Sequence, residues 1–332
     1  MSFNIAIIGA TGAVGNKLLS SLIERRFSIN NIYLLASRSS AGKKIFYGEK
    51  EYTIEFLNTF DFSKVDIAFF SAGAAVSKKF AVEAENKGCY VIDNTSYFRM
   101  HEEIPLIVPE VNENCLNGMK RKIVSNPNCS TIQMLVALQP IHKINKIKKI
   151  IVSTYQSVSG AGQQAINELS SQTKSLLNEQ EVILKNFPKQ IAFNVIPQID
   201  TFIDNGFTKE EIKMVNETKK ILDNDIEVNA TCVRVPTYVG HAESVYIELE
   251  NVMDLESLKN EILNNPAIKF SESDYHTPID SADNDWVYVS RLRKDLYKDN
   301  AFNLWVVSDN LLKGAALNSV QIAEYLEERL KK

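Results

Sequence analysis

A chain of 332 residues with 45% hydrophobic and 23% charged content is long enough for one large or two medium domains with a buried core. Its 37 basic side chains stand against 41 acidic ones, for a formal net charge of -4, and Lys and Arg are scattered rather than gathered into a stripe; this argues against nucleic acid as a partner. The four cysteines, Cys89, Cys115, Cys129 and Cys232, show no C-x-x-C pair and no zinc spacing, so no metal site is expected and a reducing compartment is the simpler reading.

The N-terminal stretch "MSFNIAIIGATGAVG" lacks a basic n-region, and glycines interrupt its short apolar run, so neither a signal peptide nor a membrane span is expected and the cytoplasm is the expected location. The run "NIAII" predicts a strand and residues 13–26 a helix. Between them Gly9, Gly12 and Gly15 fall where a backbone turns tightly and lets a pyrophosphate approach a helix N-terminus. The spacing is G-x-x-G-x-x-G rather than G-x-G-x-x-G, and glycines that merely tighten a strand-to-helix turn are the alternative. A second strand, "IYLLAS", ends in Ser37, Arg38, Ser39 and Ser40, where an NAD-binding fold would place an acidic residue. Arginine and hydroxyls suit a 2′-phosphate and favour NADP; a basic surface loop with Lys43 and Lys44 is the other reading. "DIAFFSA", a helix over 74–87, "YVIDN" and "KIVSN" continue the alternation, which predicts a parallel sheet covered by helices.

At "SNPNCST" the pattern changes. Cys129 sits at or next to the N-cap of a helix over "TIQMLVAL", where unpaired amides and the positive end of the helix dipole stabilise a thiolate and an oxyanion formed from its adduct. Cys89 and Cys232 have apolar flanks and read as small buried hydrophobes. Beyond this point "KKIIVSTY", "VNATCVRVP", "SVYIELE", "DWVYVSRLR" and "LWVVSD" predict a large sheet, with helices near 162–180, 208–222 and 255–264 and a C-terminal helix in "GAALNSVQIAEYLEERLKK". Of the four histidines, His101, His142, His241 and His276, only His241 stands in a Gly-flanked turn between two predicted strands, a common place for an acid or base. Arg234 lies in an apolar strand, where a guanidinium requires an anionic partner, either a substrate or an internal carboxylate.

Taken in order, "GATGAVG", "FFSAG", "VIDNTSYFR", "VPEVN", "NPNCSTIQM", "STYQSVSGAG", "IAFNVIPQID", "ATCVRVP", "GHAESVY" and "WVVSDNLLKGAALNSVQIAE" resemble the bacterial type of the aspartate-semialdehyde dehydrogenase family over essentially the whole chain. The resemblance implies an α/β fold: a Rossmann-like NADP-binding domain over 1–128, completed by the helix of 311–332, and an α+β catalytic and dimerisation domain of the glyceraldehyde-phosphate dehydrogenase-like type over 129–310. It implies NADPH-dependent conversion of L-aspartyl 4-phosphate to L-aspartate 4-semialdehyde and phosphate, for lysine, threonine and methionine synthesis, by a homodimer or tetramer without nucleic-acid or membrane partners.

The same resemblance implies Cys129 as nucleophile, His241 as acid and base, and Gln156 as the group that orients the acyl intermediate. Arg234 then holds the substrate α-carboxylate, Arg99 and Lys213 the phosphate, Glu210 the amine, and Asn128 the substrate beside the thiol. On composition alone, Arg99 and Lys213 read as surface charges. For the cofactor it implies Gly9, Thr11, Gly12, Ala13 and Val14 over the phosphates, with Ser71 and Gly73 of "FFSAG". It matches Ser39 and Ser40 to the loop at the adenosine phosphate, and Ser159, Gly160 and Asn310 to the nicotinamide side. One departure is that relatives place a small residue and then Arg where this chain has Arg38 and then Ser39. The implied route is a Cys129 thioester reduced by hydride, with amides of the helix start and a protonated His241 assisting. N-acetyl-γ-glutamyl-phosphate reductase, whose cysteine lies in a Pro-Gly-Cys-Tyr context, and a non-catalytic NADP-binding sensor are the alternatives.

Overall fold

The structure, a computed structural model, describes residues 2–330 and divides into two compact units, Met1–Pro127 with Ala315–Lys332, and Asn128–Gly314. In the first, the alternating pattern becomes β1 (Phe3–Ile8), α1 (Ala13–Glu24), β2 (Ile29–Ala36), β3 (Lys44–Tyr47), β4 (Lys50–Phe56), β5 (Ile67–Phe70), α2 (Ala74–Asn86), β6 (Tyr90–Asp93), α3 (Pro109–Asn112) and β7 (Ile123–Ser125). The sheet runs β3-β4-β2-β1-β5-β6-β7 and is parallel except for the β3–β4 hairpin.

Helices cover both faces of this sheet, which is why its central strands read as unbroken apolar runs. Ile5 and Ile7 pack with Leu18, Leu19 and Leu22 of α1 and with Val320, Ala323 and Leu326 of the C-terminal helix. Ala6 and Ile8 pack on the other side with Phe80, Ala81 and Ala84 of α2. The chain leaves β1 toward β2 on one side and later enters β5 on the other, so the strand order reverses between β1 and β5; open α/β sheets bind ligands at the carboxyl ends of the strands at such a point. The β3–β4 hairpin was not among the expected strands. In β4 the exposed Glu51, Thr53 and Glu55 alternate with the buried Tyr52 and Ile54, a short period-two pattern, and the hairpin turns at Gly48 with φ +57°.

The second unit contains α4 (Cys129–Ile144), β8 (Ile147–Gln156), α5 (Gln163–Leu177), α6 (Lys209–Ile221), β9 (Glu227–Arg234), β10 (His241–Leu249), α7 (Leu255–Leu263), β11 (Ile268–Ser271), α8 (Pro278–Ser281), β12 (Val287–Lys294) and β13 (Ala301–Ser308). Its sheet runs β11-β12-β13-β10-β8-β9; β8–β9 and β11–β12 are parallel and the remaining pairs antiparallel. Side chains alternate as a half-covered sheet requires: Ile150, Val152 and Thr154 are buried, whereas Ile151 and Tyr155 are exposed. Helices α4, α6 and α7 pack on the sheet, and α4 touches both other helices or their strands. A π-turn over Leu312–Ala316 then carries the chain into α9 (Leu317–Leu330), the C-terminal helix of the first unit. Among the described residues no helix is long and apolar enough to cross a membrane.

Candidate active site

The glycine turn of the first unit is shaped by backbone. Gly9 has φ +89°, and a Cβ there would lie 2.9 Å from the carbonyl carbon of Ser71; a Cβ on Gly15 would lie 2.3 Å from the Gly9 oxygen. Only glycine lets β1, the turn after β5 and the start of α1 approach this closely. Ser71 returns both its N–H and its hydroxyl to the Ile8 carbonyl, at 2.9 and 3.0 Å. Gly12 is the N-cap of α1 and Gly73 that of α2, and no side chain caps either helix. Gly9, Thr11, Gly12, Ala13 and Val14 thus share one turn and Ser71 and Gly73 the next, at the carboxyl ends of the two central strands. Two uncapped helix starts and a cradle that a Cβ would fill fit a pyrophosphate.

After β2, Ser40 and Ala41 donate backbone N–H groups to the Ser37 carbonyl, and the hydroxyls of Ser37 and Ser39 lie 2.9 Å apart. Arg38 rests 5.8 Å from the centre of the Phe56 ring. This turn is exposed and cationic and contains no carboxylate. Arg99, also in the first unit, is buried rather than a solvated surface charge: its Nε donates to the Asn126 carbonyl and its Nη2 to that of Asn94, both at 3.0 Å.

In the second unit the strand register aligns three predicted residues. β8 pairs Gln156 with Arg234 of β9 on one side and with His241 of β10 on the other, so Arg234, Gln156 and His241 form one row across the sheet. All three are buried. Ser157, next in sequence, locks the row. Its N–H donates to His241 Nδ1 at 3.1 Å, and its carbonyl accepts Arg234 Nη1 at 2.7 Å. Because Nδ1 accepts, the neutral imidazole carries its hydrogen on Nε2, and Nε2 has no partner. Burial, with Arg234 as a nearby like charge, pushes the His241 pKa down to about 3. The ring is therefore neutral in this site, which corrects the expected imidazolium.

Gly160 fits against this pair: a Cβ there would lie 3.0 Å from Arg234 Nη1 and 3.3 Å from His241 Nε2. Asn310 ties the turn together. Its Oδ1 accepts from Gly240 N–H at 2.9 Å and Ser157 Oγ at 3.1 Å, and its Nδ2 donates to Ser159 Oγ at 3.0 Å.

Helix α4 begins on Cys129 with Asn128 as N-cap. Asn128 Oδ1 accepts from Ser130 and Thr131 N–H at 3.0 and 3.3 Å, so these two amides, expected at an oxyanion, are spent on the cap. The other end of the Asn128 amide donates to Glu210 Oε1 at 2.7 Å, and the Asn128 N–H to Glu217 Oε2 at 2.6 Å. Gln156 Nε2 also reaches Glu210 Oε1, at 3.3 Å, while Lys213 Nζ bridges Glu210 Oε2 at 3.2 Å and Asp200 at 3.0 Å. Burial works to raise the Glu210 pKa, but Lys213 and the amide donors outweigh it and keep the carboxylate ionised. Burial pushes the Arg234 pKa down, and Glu210 and a negative charge on Cys129 act against it. Cys129 is half-buried, whereas Cys89 and Cys232 are fully buried, and desolvation pushes both of their pKa values up, that of Cys89 to about 11.

The second unit thus gathers Asn128, Cys129, Gln156, Ser159, Gly160, Glu210, Lys213, Arg234, His241 and Asn310, whereas Arg99 and the glycine turns belong to the first. Three functional neighbours were not foreseen. Ser157 followed Gln156 in the quoted motif, and Glu217 continues the helical stripe of Glu210 and Lys213, so both had a signal. Gly314 lay in the quoted "WVVSDNLLKGAALNSVQIAE", but nothing local signalled its contact: a Cβ there would lie 2.8 Å from Cys129 Cβ, across more than half of the chain.

The family model described as "Semialdehyde dehydrogenase, NAD binding domain" matches residues 4–119, and "Semialdehyde dehydrogenase, dimerisation domain" matches residues 138–313. The aspartate-semialdehyde dehydrogenase of Bacillus subtilis is 50% identical over 338 residues, covering 98% of this chain and 97% of that relative. A crystal structure of aspartate semialdehyde dehydrogenase II from Vibrio cholerae, complexed with ASA, superposes with a TM-score of 0.97 at 49% identity and covers 99% of both chains. An aspartate semialdehyde dehydrogenase with NADP from Candida albicans, 24% identical with a TM-score of 0.77, shares the fold.

Proposed function

We propose, on the premise that this chain belongs to the aspartate-semialdehyde dehydrogenase family, that it catalyses reductive dephosphorylation of L-aspartyl 4-phosphate to L-aspartate 4-semialdehyde through a thioester on Cys129, with NADP as cofactor. The observation that carries the reading is the row of Arg234, Gln156 and His241 beside a helix that begins on a thiol. The two turns after β1 and β5 hold the cofactor phosphates. Ser37 to Ser40, with Arg38 and no carboxylate, favour the 2′-phosphate of NADP. Ser159, Gly160 and Asn310 border the nicotinamide.

The Cys129 sulfur attacks the acyl carbon, a C–S bond forms, and the C–O bond to phosphate breaks with its electron pair leaving on phosphate. Lys213 receives the leaving dianion. Bound beside Ser159, Gly160 and Asn310, the nicotinamide would supply the hydride for the thioester held on Cys129. His241 donates through Nε2–H to the oxygen that becomes anionic in both steps, and a neutral ring suits this role because it gives a hydrogen bond without first needing a proton from solvent. The C–S bond then breaks, the aldehyde leaves and the thiolate is restored. Arg234 receives the α-carboxylate and Glu210, ionised and buried, the α-ammonium; Gln156 and Asn128, both hydrogen-bonded to Glu210, keep that carboxylate aimed.

The enzyme works in this reading as a cytoplasmic homodimer. The outward face of the second sheet exposes Ile151 and Tyr155 beside Trp305, a surface suited to a second copy, and its unbridged thiols suit a reducing compartment. The test is phosphate-dependent reduction of NADP and of NAD by L-aspartate semialdehyde, beside N-acetylglutamate semialdehyde and glyceraldehyde 3-phosphate. Turnover of the first aldehyde alone, faster with NADP, is expected. Turnover of another aldehyde replaces the substrate, and silence on all three overturns the reading.

A further inference from the structure

Two residues beyond His241 on β10, Glu243 lies on the same face of the sheet and is 0% exposed. Its cross-strand neighbours are Thr154 on β8 and Val306 on β13, neither of them charged. Neither carboxyl oxygen has a donor to accept from. The side chain within hydrogen-bonding reach is Gln133 of α4, whose amide is half committed: Nε2 donates to the His241 backbone carbonyl at 3.4 Å, while Oε1 has no donor. A buried carboxylate and a buried amide oxygen are both acceptors and cannot satisfy each other. The Nε2 end of Gln133 opposes the effect of burial on Glu243, yet no hydrogen bond of normal geometry reaches either carboxyl oxygen, and Oε1 stays without a donor.

One proton satisfies both groups. We propose that Glu243 is a positioning residue that keeps its carboxylic proton at neutral pH and donates it to Gln133 Oε1, so that acid, amide and the His241 carbonyl form one chain holding His241 from beneath. Burial pushes the Glu243 pKa well above the ordinary glutamate range, with Gln133 opposing it only in part. A carboxylic acid kept neutral so that it can donate is an established device of apolar sites. The consequence for chemistry is geometric. Ser157 fixes the ring at Nδ1 and the Glu243–Gln133 chain fixes the backbone of the same residue, so the direction of Nε2 is set from two sides. The inference rests on His241 as the Nε2–H donor of the proposed function for its effect on rate; the protonation of Glu243 stands apart from that reading.

The test compares the whole enzyme with Glu243→Gln and Glu243→Leu. The infrared difference spectrum of wild type minus Glu243→Gln at neutral pH should show the carbonyl stretch of a protonated carboxylic acid. Carboxylate bands in its place overturn the proposal, even in a preparation that turns over none of the aldehydes. In kinetics, Glu243→Gln, which keeps a donor for Gln133 Oε1, should hold kcat within about twofold of wild type, and Glu243→Leu should lower kcat by about tenfold with KM little changed. A Gln variant as impaired as the Leu variant, or a Leu variant with full kcat, removes the positioning role. If the Leu variant fails to fold, the spectrum and the Gln variant still decide.

Discussion

Helix α1 follows a glycine N-cap that places no side chain on its first amides, whereas α4 follows Asn128, whose Oδ1 accepts from the amides of Ser130 and Thr131. Both helices keep the positive end of a dipole. The first leaves its start to an anion brought by a ligand; the second satisfies its own start, and what it offers the reaction is a thiol in a set position. In the first unit the turns are shaped by backbone, and glycine is required at Gly9 and Gly15 because a Cβ would strike the backbone of Ser71 or Gly9. In the second, recognition is by side chains that are themselves held: Arg234 by Ser157, Gln156 by Thr154 and Glu210, and His241 by Ser157. On the proposed reading, an oxyanion at Cys129 would find the amides of Ser130 and Thr131 already committed to Asn128, which leaves the Nε2–H of His241 as a side-chain donor.

The contrast is broken most sharply at the thiol. Cys129→Ala should lower kcat by at least on the order of 10³-fold while cofactor binding, measured by titration of intrinsic fluorescence, is unchanged. Normal turnover would place the chemistry elsewhere. Gly314→Ala tests position without touching chemistry. A methyl 2.8 Å from Cys129 Cβ must displace the thiol or the π-turn, and kcat should fall by up to about 10²-fold with cofactor KM unchanged. Unchanged kcat would show that the π-turn yields freely.

Stability against pH sharpens the comparison further. The folded pKa of His241 is about 3, against about 6.5 for an unfolded histidine. Between these values the unfolded chain binds a proton that the native chain refuses. The contribution of this residue is thus intact above about pH 6.5 and is lost as pH falls toward the folded value, by about 1.4 kcal/mol per pH unit. His241→Gln should remove one proton from the slope of the acid limb, as read from denaturant unfolding at several pH values; parallel curves for the two proteins would mean an ordinary histidine. The smallest effect is at the cap. Asn128→Ala should cost about 1 kcal/mol of unfolding free energy, and with it the aim of Glu210, whereas Gly12→Ala, at a helix start with no side-chain cap, should not lose a comparable capping bond.

How much of this was legible before the fold is clearest at particular residues. The start of α4 could be read locally, since Pro127 and Asn128 stop a strand and Asn128 is a good N-cap, and a turn and its cap lie within a few residues of one another. Gly9 and Gly15 could be read for the same reason. The β3–β4 hairpin carried only a short signal, the alternation of Glu51, Thr53 and Glu55 with Tyr52 and Ile54, in strands of four and seven residues. Arg99 reads by composition as a solvated charge yet is buried, and Lys213, half-buried, is tied to Glu210 and Asp200, because burial and pairing depend on what packs beside a residue.

The sequence by itself determined the alternation that makes the first sheet, the glycine turns that shape its crevice, and the cysteine that opens α4. Those features rest on periodicity and backbone freedom, which act between near neighbours. Only the tertiary structure decided that Arg234, Gln156 and His241 stand in one row, that Asn128 spends two amides of the cysteine's helix, that Gly314 rests on Cys129, and that His241 is neutral and Glu243 fully buried. Strand register, close approach and the protonation state of a desolvated group are set by atoms that arrive from distant parts of the chain, and no local pattern carries them.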